Sequence, residues 1–598
     1  MNNFVLHDLN LLDSNDSEII GNINFRHLFD KQGPGFYMNG NFDRISSNYS
    51  NLRNIMPRIL GNSLPQLLEK FGRVDLVGHV TLTKTDLDTE MYVMSELGEA
   101  ETVLSVKNYN KPTDALYTGT IDLQEFNLGA ITDTKTVGTT TMHIEVDGGG
   151  FTQQSLNTVI KGDITRFAFN GYNYKNVTVD GRFKWPYFKG TINSNDPNLL
   201  MTFDGLVDMS KPKKVYDFHA QIDYADLALL KLMKNDTLSI FKGDMIFNAS
   251  GNNLNDMAGK LQISQLSYQN SRDSYYFEDF TLESTFDEQN VRTLTLSSKD
   301  IIEGRVHGVF DVNQLPKVIE NAAGSLYTNY SPHKVKKGQY LDFDFTVYNK
   351  VIEIVLPDVV LGQNTRLRGS INSDKGDFRM NFYSPTIDIG ATNRINNIMV
   401  DINNRNPLYN AYISVDSLRM KNYKISDFSL LNVTQNDTMY MRSEFKGGVR
   451  SQVNDVYNLD FYHTIDKKGN SVVGFKKSEI NFKNYQWFIN EGNGQNNKIV
   501  FNKKLTDFNI DSISLSHNDQ RVDLAGIIKG KDFKDVNLSF KEVDLHKITP
   551  SLDSLNFGGR LNGKISLKQN RDQFEPTAAL TIDTLRVNKY VLGDMRLN

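Results

Sequence analysis

Apolar and polar residues alternate along much of the chain with a period of two. The stretch VYDFHAQIDYADL, residues 215–227, has apolar side chains at one set of alternate positions and mostly polar side chains between them. Successive side chains of a β-strand point to opposite faces of a sheet, so this stretch predicts a strand with one apolar and one polar face. The apolar set consists of Tyr216, Phe218, Ala220, Ile222 and Tyr224.

The same alternation recurs in LMTFDGLVDM (200–209), LDFDFTVY (341–348), GDFRMNF (376–382) and YNLDFYHTI (457–465). Short polar stretches rich in Asn, Asp and Gly separate such segments, as expected for turns. Strands of this kind predict an all-β fold built on antiparallel sheet with one apolar face. The predicted apolar-face residues in these segments are Met201, Phe203, Val207, Leu341, Phe343, Phe345, Val347, Phe378, Met380, Phe382, Leu459 and Phe461.

Helical patterns are scarce. Residues 50–72 have apolar positions at helical spacing but are interrupted by Pro57 and Pro65, and residues 313–327 carry Pro316 near their start. Both segments predict short helices that lie over the end of a sheet.

A repeated arrangement marks several segments. A strand runs into a short Asp-Leu-like hook, then a brief helix or turn, then a new strand containing Gly, as in QIDYADLALLKLM and SFKEVDLHKITP. Tandem multi-strand repeats predict one elongated sheet that grows along its axis. The predicted repeat blocks are 1–120, 121–330, 331–480 and 481–598, with no Pro-, Ser- or Gly-rich linker between them.

Composition narrows the classes of function. The net charge of −5 gives no basic field for nucleic acid, and the 39% hydrophobic content fits a folded chain. The chain has no Cys, which excludes disulfides, thiol catalysis and thiolate metal sites. No run of eighteen apolar residues is present, and the first residues do not resemble a signal peptide.

No catalytic pattern stands out. The ten His residues form no metal-ligand spacing, and VDGGGF, residues 146–151, lacks the Lys and Ser or Thr of a phosphate cradle, so it predicts a turn. His463 falls on an apolar strand face, where a packed histidine is expected. Paired carboxylates on one outer face would suit a carbohydrate-active enzyme, but no motif supports one. The sequence therefore predicts a protein that is not an enzyme and needs neither a metal nor a cofactor.

Three consecutive phrases carry a family resemblance: GYNYKNVTVDG (171–181), FKGTINSND (188–196) and FDGLVDM (203–209). With the strand that follows, they resemble the TamB family of AsmA-like envelope proteins in its Bacteroidota form, and 171–230 is the best-matched block. Weaker similarity extends over NYQWFINEGNGQNNKIVF (484–501) and LTIDTLRVNKYVLGDMRLN (580–598). The resemblance implies an internal segment of a longer protein, with the membrane anchor and outer-membrane domain outside it.

The resemblance also implies a fold and a function. Members of this family, also called translocation and assembly modules, are taco-like β-sheets whose apolar concave groove moves phospholipids between the inner and outer membranes. An outer-membrane barrel of the assembly-factor type is their partner. We therefore expect a location in the periplasm or cell envelope, anchored to the inner membrane in the full-length protein. The predicted ligands of the apolar face are phospholipid acyl chains, and nucleic acid is not an expected partner.

Alternatives remain open for that apolar face. A second sheet or a filled β-helix would cover it with protein, as in most alternating sheets. Alternatively, exposed sheet edges would make the protein a scaffold or chaperone for outer-membrane protein assembly or secretion.

Overall fold

The computed structural model describes residues 3–13, 17–27, 35–55, 66–152, 154–233, 237–326, 330–449, 455–549 and 555–598. Strands make up 67% of the chain and helices 7%. Within the described residues there are 38 strands, and each resolved strand pairing is antiparallel. The prediction of an all-β fold with few short helices is confirmed.

The chain divides into two compact units, Met1–Thr285 and Phe286–Asn598. The predicted block limits at 120 and 480 fall inside strands, and the four blocks stay a prediction. The strands of the first unit are β1 (Asn3–Leu12), β2 (Glu18–Arg26), β3 (Tyr37–Asn48), β4 (Arg73–Thr83), β5 (Asp86–Ser95), β6 (Gly98–Lys107), β7 (Leu116–Asn127), β8 (Val137–Gly149), β9 (Asn157–Phe169), β10 (Tyr172–Lys184), β11 (Tyr187–Asp196), β12 (Leu199–Asp208), β13 (Val215–Asp226), β14 (Ser239–Ser250), β15 (Ala258–Asn270), β16 (Ser274–Tyr276) and β17 (Phe280–Phe286), whose last residue lies past the boundary.

The second unit also consists of antiparallel strands, most of which pair with the next strand in sequence. They are β18 (Arg292–Ser297), β19 (Ile302–Val309), β20 (Tyr340–Val347), β21 (Val359–Leu361), β22 (Thr365–Asn372), β23 (Asp377–Ile389), β24 (Asn393–Asn403), β25 (Ala411–Arg419), β26 (Tyr423–Gln435), β27 (Thr438–Val449), β28 (Asp455–Ile465), β29 (Ser471–Phe475), β30 (Ser478–Phe482), β31 (Tyr485–Ile489), β32 (Lys498–Phe501), β33 (Asp507–His517), β34 (Gln520–Lys529), β35 (Phe533–Asp544), β36 (Phe557–Asn570), β37 (Gln573–Val587) and β38 (Tyr590–Leu597). Among the exceptions, β20 pairs with β22 and β29 pairs with β32.

Five short α-helices interrupt the strands of the described chain. They are α1 (Tyr49–Ile55), α2 (Leu128–Thr132), α3 (Leu315–Gly324), α4 (Asn349–Val355) and α5 (Leu545–Ile548), with 3₁₀ turns at Gln66–Phe71 and Val312–Gln314. The helix predicted within 313–327 is confirmed by α3. The segment 50–72 forms α1 and the first 3₁₀ turn, and its two prolines lie outside the described residues.

The predicted hooks share one local device, an Asx side chain at the end of a strand. Asp226, Asp544 and Asn127 each accept a hydrogen bond from a backbone N–H two or three residues further along. This side-chain acceptor satisfies a donor that the chain loses when it leaves the sheet. The hook then places apolar residues such as Leu230 and Leu545 in buried positions.

Buried clusters lie where such segments fold back onto the sheet. Helix α3 contributes Val318 and Ala322 to a cluster with Leu341, Ile371 and Phe378. A second cluster surrounds α2, and a third surrounds Trp487 beside α5. The apolar side of the sheet is therefore covered by protein at these places.

Candidate ligand-binding face

The register of β9–β14 aligns the apolar sets of six strands on one face. Phe203 lies opposite Ile192 in β11 and Ala220 in β13, and these pair onward with Val179 in β10 and Met245 in β14. Directly opposite residues of an antiparallel pair share a face. We call this surface the central apolar face; its larger side chains are Ile160, Ile164, Val177, Val179, Phe183, Phe188, Ile192, Met201, Phe203, Val207, Tyr216, Phe218, Ile222, Met245 and Phe247.

The large side chains of the central apolar face are half-buried rather than enclosed. The hydrophobic residues that are buried in the sheet there are small: Ala220, Ala225 and Ala249. None of the large residues of this face belongs to the buried clusters found in the described chain. Fully burying an exposed large apolar side chain is worth about 1.5–3 kcal/mol, and covering the part of these side chains that is still exposed would add a fraction of that, so the surface favours an apolar occupant.

A row of aromatic rings crosses the middle of the face. The ring centroids of Phe188 and Phe203 are 6.2 Å apart, those of Phe203 and Phe218 are 5.1 Å apart, and those of Phe218 and Phe247 are 5.4 Å apart. Such spacings lie within the range of favourable aromatic pairs. The row forms a continuous hydrocarbon surface perpendicular to the strands.

Glycines stand beside this row on three neighbouring strands. Gly181, Gly190 and Gly205 lie opposite one another, and Gly205 also faces Phe218. A Cβ atom on Gly205 would come within 2.4 Å of the Phe218 Cα atom. The backbone of Gly205 has a φ of +149°, which side-chain-bearing residues rarely adopt. Interior glycines of this kind allow close strand approach and local bending of a sheet.

The opposite face of the same strands is mostly polar, although Leu200 and Ile246 are also exposed there. Asp217, His219, Thr202 and Asp204 are exposed on it, and the His219 ring is in hydrogen-bond contact with the Asp244 carboxylate. These side chains explain why only one side of the sheet is apolar, since charged groups remain in water.

One predicted residue lies on the other face. The alternation in 215–227 predicts Tyr224 beside Ile222, but a β-bulge shifts the register between them. Ile222 pairs with Met201, whereas Tyr224 pairs with Leu200, whose side chain points away from the face of Met201. The extra residue of a bulge reverses the alternation, so Tyr224 is not part of the central apolar face.

The other predicted residues of the first unit all share this face. They are Met201, Phe203, Val207, Tyr216, Phe218 and Ile222. The face also includes Phe188, Ile192, Met245 and Phe247, which were not predicted. FKGTIN (188–193) carries the same alternation, whereas in GDMIFNA (243–249) Ile246 interrupts it.

In the second unit, the predicted residues also align on one apolar face through successive registers from β20 to β28. These residues are Leu341, Phe343, Phe345, Val347, Phe378, Met380, Phe382, Leu459 and Phe461. Leu341 and Phe378 are each only 5% exposed beneath α3, and Phe343 and Met380 pack against the same cluster. At this place protein covers the face, as the packing alternative expects.

The remaining predicted residues of this unit are half-buried: Phe345, Val347, Phe382, Leu459 and Phe461. His463 follows Phe461 on the same face of β28, opposite Met439 and Val473. Burial lowers the pKa of His463, which favours the neutral ring among apolar neighbours.

The described residues hold no group of three or more His, Asp or Glu side chains arranged to bind a metal ion. In the same part of the chain, no helix has both the length and the hydropathy needed to cross a bilayer.

Comparison of the chain with protein-family models, with curated proteins and with solved structures gave no match.

Proposed function

We propose that the central apolar face holds phospholipid acyl chains and passes them along the sheet without chemical change. The observation that carries the proposal is the run of large, half-buried apolar side chains across six strands, which belong to none of the buried clusters of the described residues. An acyl chain is an unbranched hydrocarbon that can lie across rows of Phe, Ile and Val and remove both surfaces from water.

Movement along such a surface needs no catalytic residue. Neighbouring strands present similar side chains at about 4.8 Å intervals, so a shifted lipid exchanges one set of hydrocarbon contacts for another. The aromatic row through Phe203 and Phe218 offers equivalent contacts on consecutive strands. The free energy along the path therefore changes little from strand to strand.

The resemblance to the TamB family supports the same proposal. It suggests transport between the inner and outer membranes, in the periplasm, with anchoring at the inner membrane and an outer-membrane barrel as partner. These assignments rest on the similarity of residues 171–230 and on the apolar face that the same residues form.

The test compares two aspartate substitutions that are one residue apart. Phe203→Asp puts a charge on the central apolar face, whereas Thr202→Asp puts the same charge on the exposed polar face of the same strand. The chain is purified without detergent, and bound lipid is measured by native mass spectrometry and by extraction. We expect wild type and Thr202→Asp to carry phospholipid and Phe203→Asp to carry much less, with unchanged circular dichroism.

Two results would count against the proposal. A folded wild-type chain without lipid would favour protein packing on the face, and the scaffold alternative would then explain the sheet better. Equal lipid loss in both variants would show that the charge acts on the whole chain rather than on this face.

A further inference from the structure

Three turns at one end of the strands of the first unit are tied together by hydrogen bonds. They connect β10 to β11, β12 to β13 and β14 to β15, and every second turn of an antiparallel series lies at the same end of the strands. The Met209 N–H donates to the Pro186 carbonyl at 3.0 Å. The Asn252 side chain donates to the Pro212 carbonyl at 2.9 Å, and the Gly251 N–H donates to the Lys214 carbonyl at 2.9 Å. We call these three turns the turn platform.

Each turn of the platform exposes a large apolar side chain. Trp185 is 50% exposed, Met209 is 41% exposed and Leu254 is 59% exposed. The next turn at the same end of the strands, between β8 and β9, exposes 55% of Phe151. Single exposed apolar residues are ordinary, but four successive turns at this end each expose one, so these side chains form a line.

Lysines accompany these tips. Lys184, Lys211 and Lys213 are exposed on the platform. Two carboxylates lie among them: Asp208 accepts hydrogen bonds from Ser210 and lies 3.5 Å from the Lys211 ammonium, and Asp256 accepts from the Asn252 and Asn253 N–H groups. Because Lys214 is a fourth lysine of these turns, the lysines outnumber the carboxylates by two and the platform is locally basic on a chain whose net charge is −5.

We propose that the turn platform docks on the surface of an anionic phospholipid bilayer. Trp and other apolar tips enter the headgroup region, while lysines beside them meet lipid phosphates. Charge complementarity selects this occupant, since the lysines of the platform outnumber its carboxylates by two and a purely apolar partner would leave that excess without a counter-charge. The platform consists of turns at the ends of the strands, so this docking is separate from acyl-chain binding by the central apolar face.

The test measures binding of the full chain to vesicles of phosphatidylcholine and to vesicles of equal parts phosphatidylcholine and phosphatidylglycerol, by co-sedimentation. We expect binding to the anionic vesicles that weakens with salt. Each lysine near an anionic surface contributes about fivefold in affinity, so Lys184→Gln, Lys211→Gln and Lys213→Gln combined should weaken binding about 100-fold. A combined Trp185→Ser, Met209→Ser and Leu254→Ser variant should also lose most of its binding.

Matched controls separate this surface from the rest of the chain. Lys161→Gln, Lys175→Gln and Lys242→Gln combined remove the same charge from exposed positions away from the platform and should leave vesicle binding unchanged. Leu232→Ser combined with Met233→Ser removes exposed apolar side chains at the opposite end of the strands and should also leave vesicle binding unchanged.

The outcomes distinguish the two proposals. Equal binding to both vesicle types, no binding to either, or platform variants that bind like wild type would overturn the docking proposal. If Phe203→Asp abolished vesicle binding while the platform variants kept it, the central apolar face would be the membrane contact. Lipid that co-purifies with the platform variants would leave the acyl-chain proposal standing in every case.

Discussion

Two histidines show how the surrounding face sets the charge of a side chain. His463 lies on the apolar face of the second unit, and burial lowers its pKa below the ordinary 6.5. His143 lies on the polar side of β8, where its Nδ1 is 2.5 Å from the Asp122 carboxylate, and that hydrogen bond raises its pKa above 6.5. Desolvation therefore favours the neutral ring of His463, whereas the neighbouring carboxylate favours the charged ring of His143.

These shifts predict opposite pH responses. The contribution of His463 to stability is complete above pH 6.5 and is lost as the pH falls from 6.5 through its lowered pKa. The contribution of His143 is complete below pH 6.5 and is lost as the pH rises through its raised pKa. An NMR titration should find His463 titrating below 6.5 and His143 above it. Asp122→Asn should return His143 towards 6.5; titration of both rings at one pH would contradict this account.

Individual residues also show how much of the central apolar face can be predicted from the sequence. Alternation alone placed Phe203, Phe218 and Ile222 together, because a period of two leaves one choice of face per strand. It failed at Tyr224, since nothing in the sequence shows that the chain inserts an extra residue beside Ile222. Alternation predicts the face on which a side chain lies, but it does not predict bulges, which depend on pairing with the neighbouring strands.

At the scale of elements, the hooks depend on their Asx residues. The backbone N–H groups of Ala228 and Leu229 each donate to the Asp226 carboxylate at 3.1 Å, and Asp226 is 3% exposed. Asp226→Ala removes the acceptor and should destabilise the first unit by about 0.5–2 kcal/mol in urea unfolding. Asp226→Asn keeps an acceptor oxygen and should lose less. Equal losses in the two variants would show that the carboxylate's charge, rather than its hydrogen bonds, matters.

The strands of the central apolar face depend on glycine, because a side chain at Gly205 would meet the neighbouring backbone. In Gly205→Ala, the new Cβ would lie 2.4 Å from the Asp217 carbonyl oxygen, so the backbones of β12 and β13 would have to separate. We expect a loss of about 3 kcal/mol or more in unfolding free energy, together with reduced lipid binding. Gly171→Ala is the matched control because it also has a positive φ, +80°, but no atom within 4 Å. It should cost only about 1 kcal/mol; a similar loss in both would attribute the effect to φ alone.

At the scale of the whole molecule, each of the two units has an apolar face that is half-buried in some places, and in the second unit α3 covers part of it. The fold class and the position of α3 follow from local patterns that the sequence displays. The closure of the face by α3 does not, because Val318 and Leu341 meet only after the chain has folded back on the sheet. Alternation therefore predicts which side chains share a face, whereas tertiary packing decides which of them a ligand can reach.

That distinction gives a measurable map of lipid contact. The chain has no Cys, so single cysteines can carry a spin label without competing sites. With lipid bound, labels at Phe218 and Phe345 should be accessible to a lipid-soluble relaxation agent, because each side chain is half-buried on the apolar face of its own unit. Labels at Leu341 should be shielded because α3 covers that position, and labels at His219 should meet only water-soluble agents. Lipid access at Leu341 equal to that at Phe345 would show that α3 moves away when lipid binds. Equal lipid access at His219 and Phe218 would contradict one-sided binding, since these neighbours point to opposite faces.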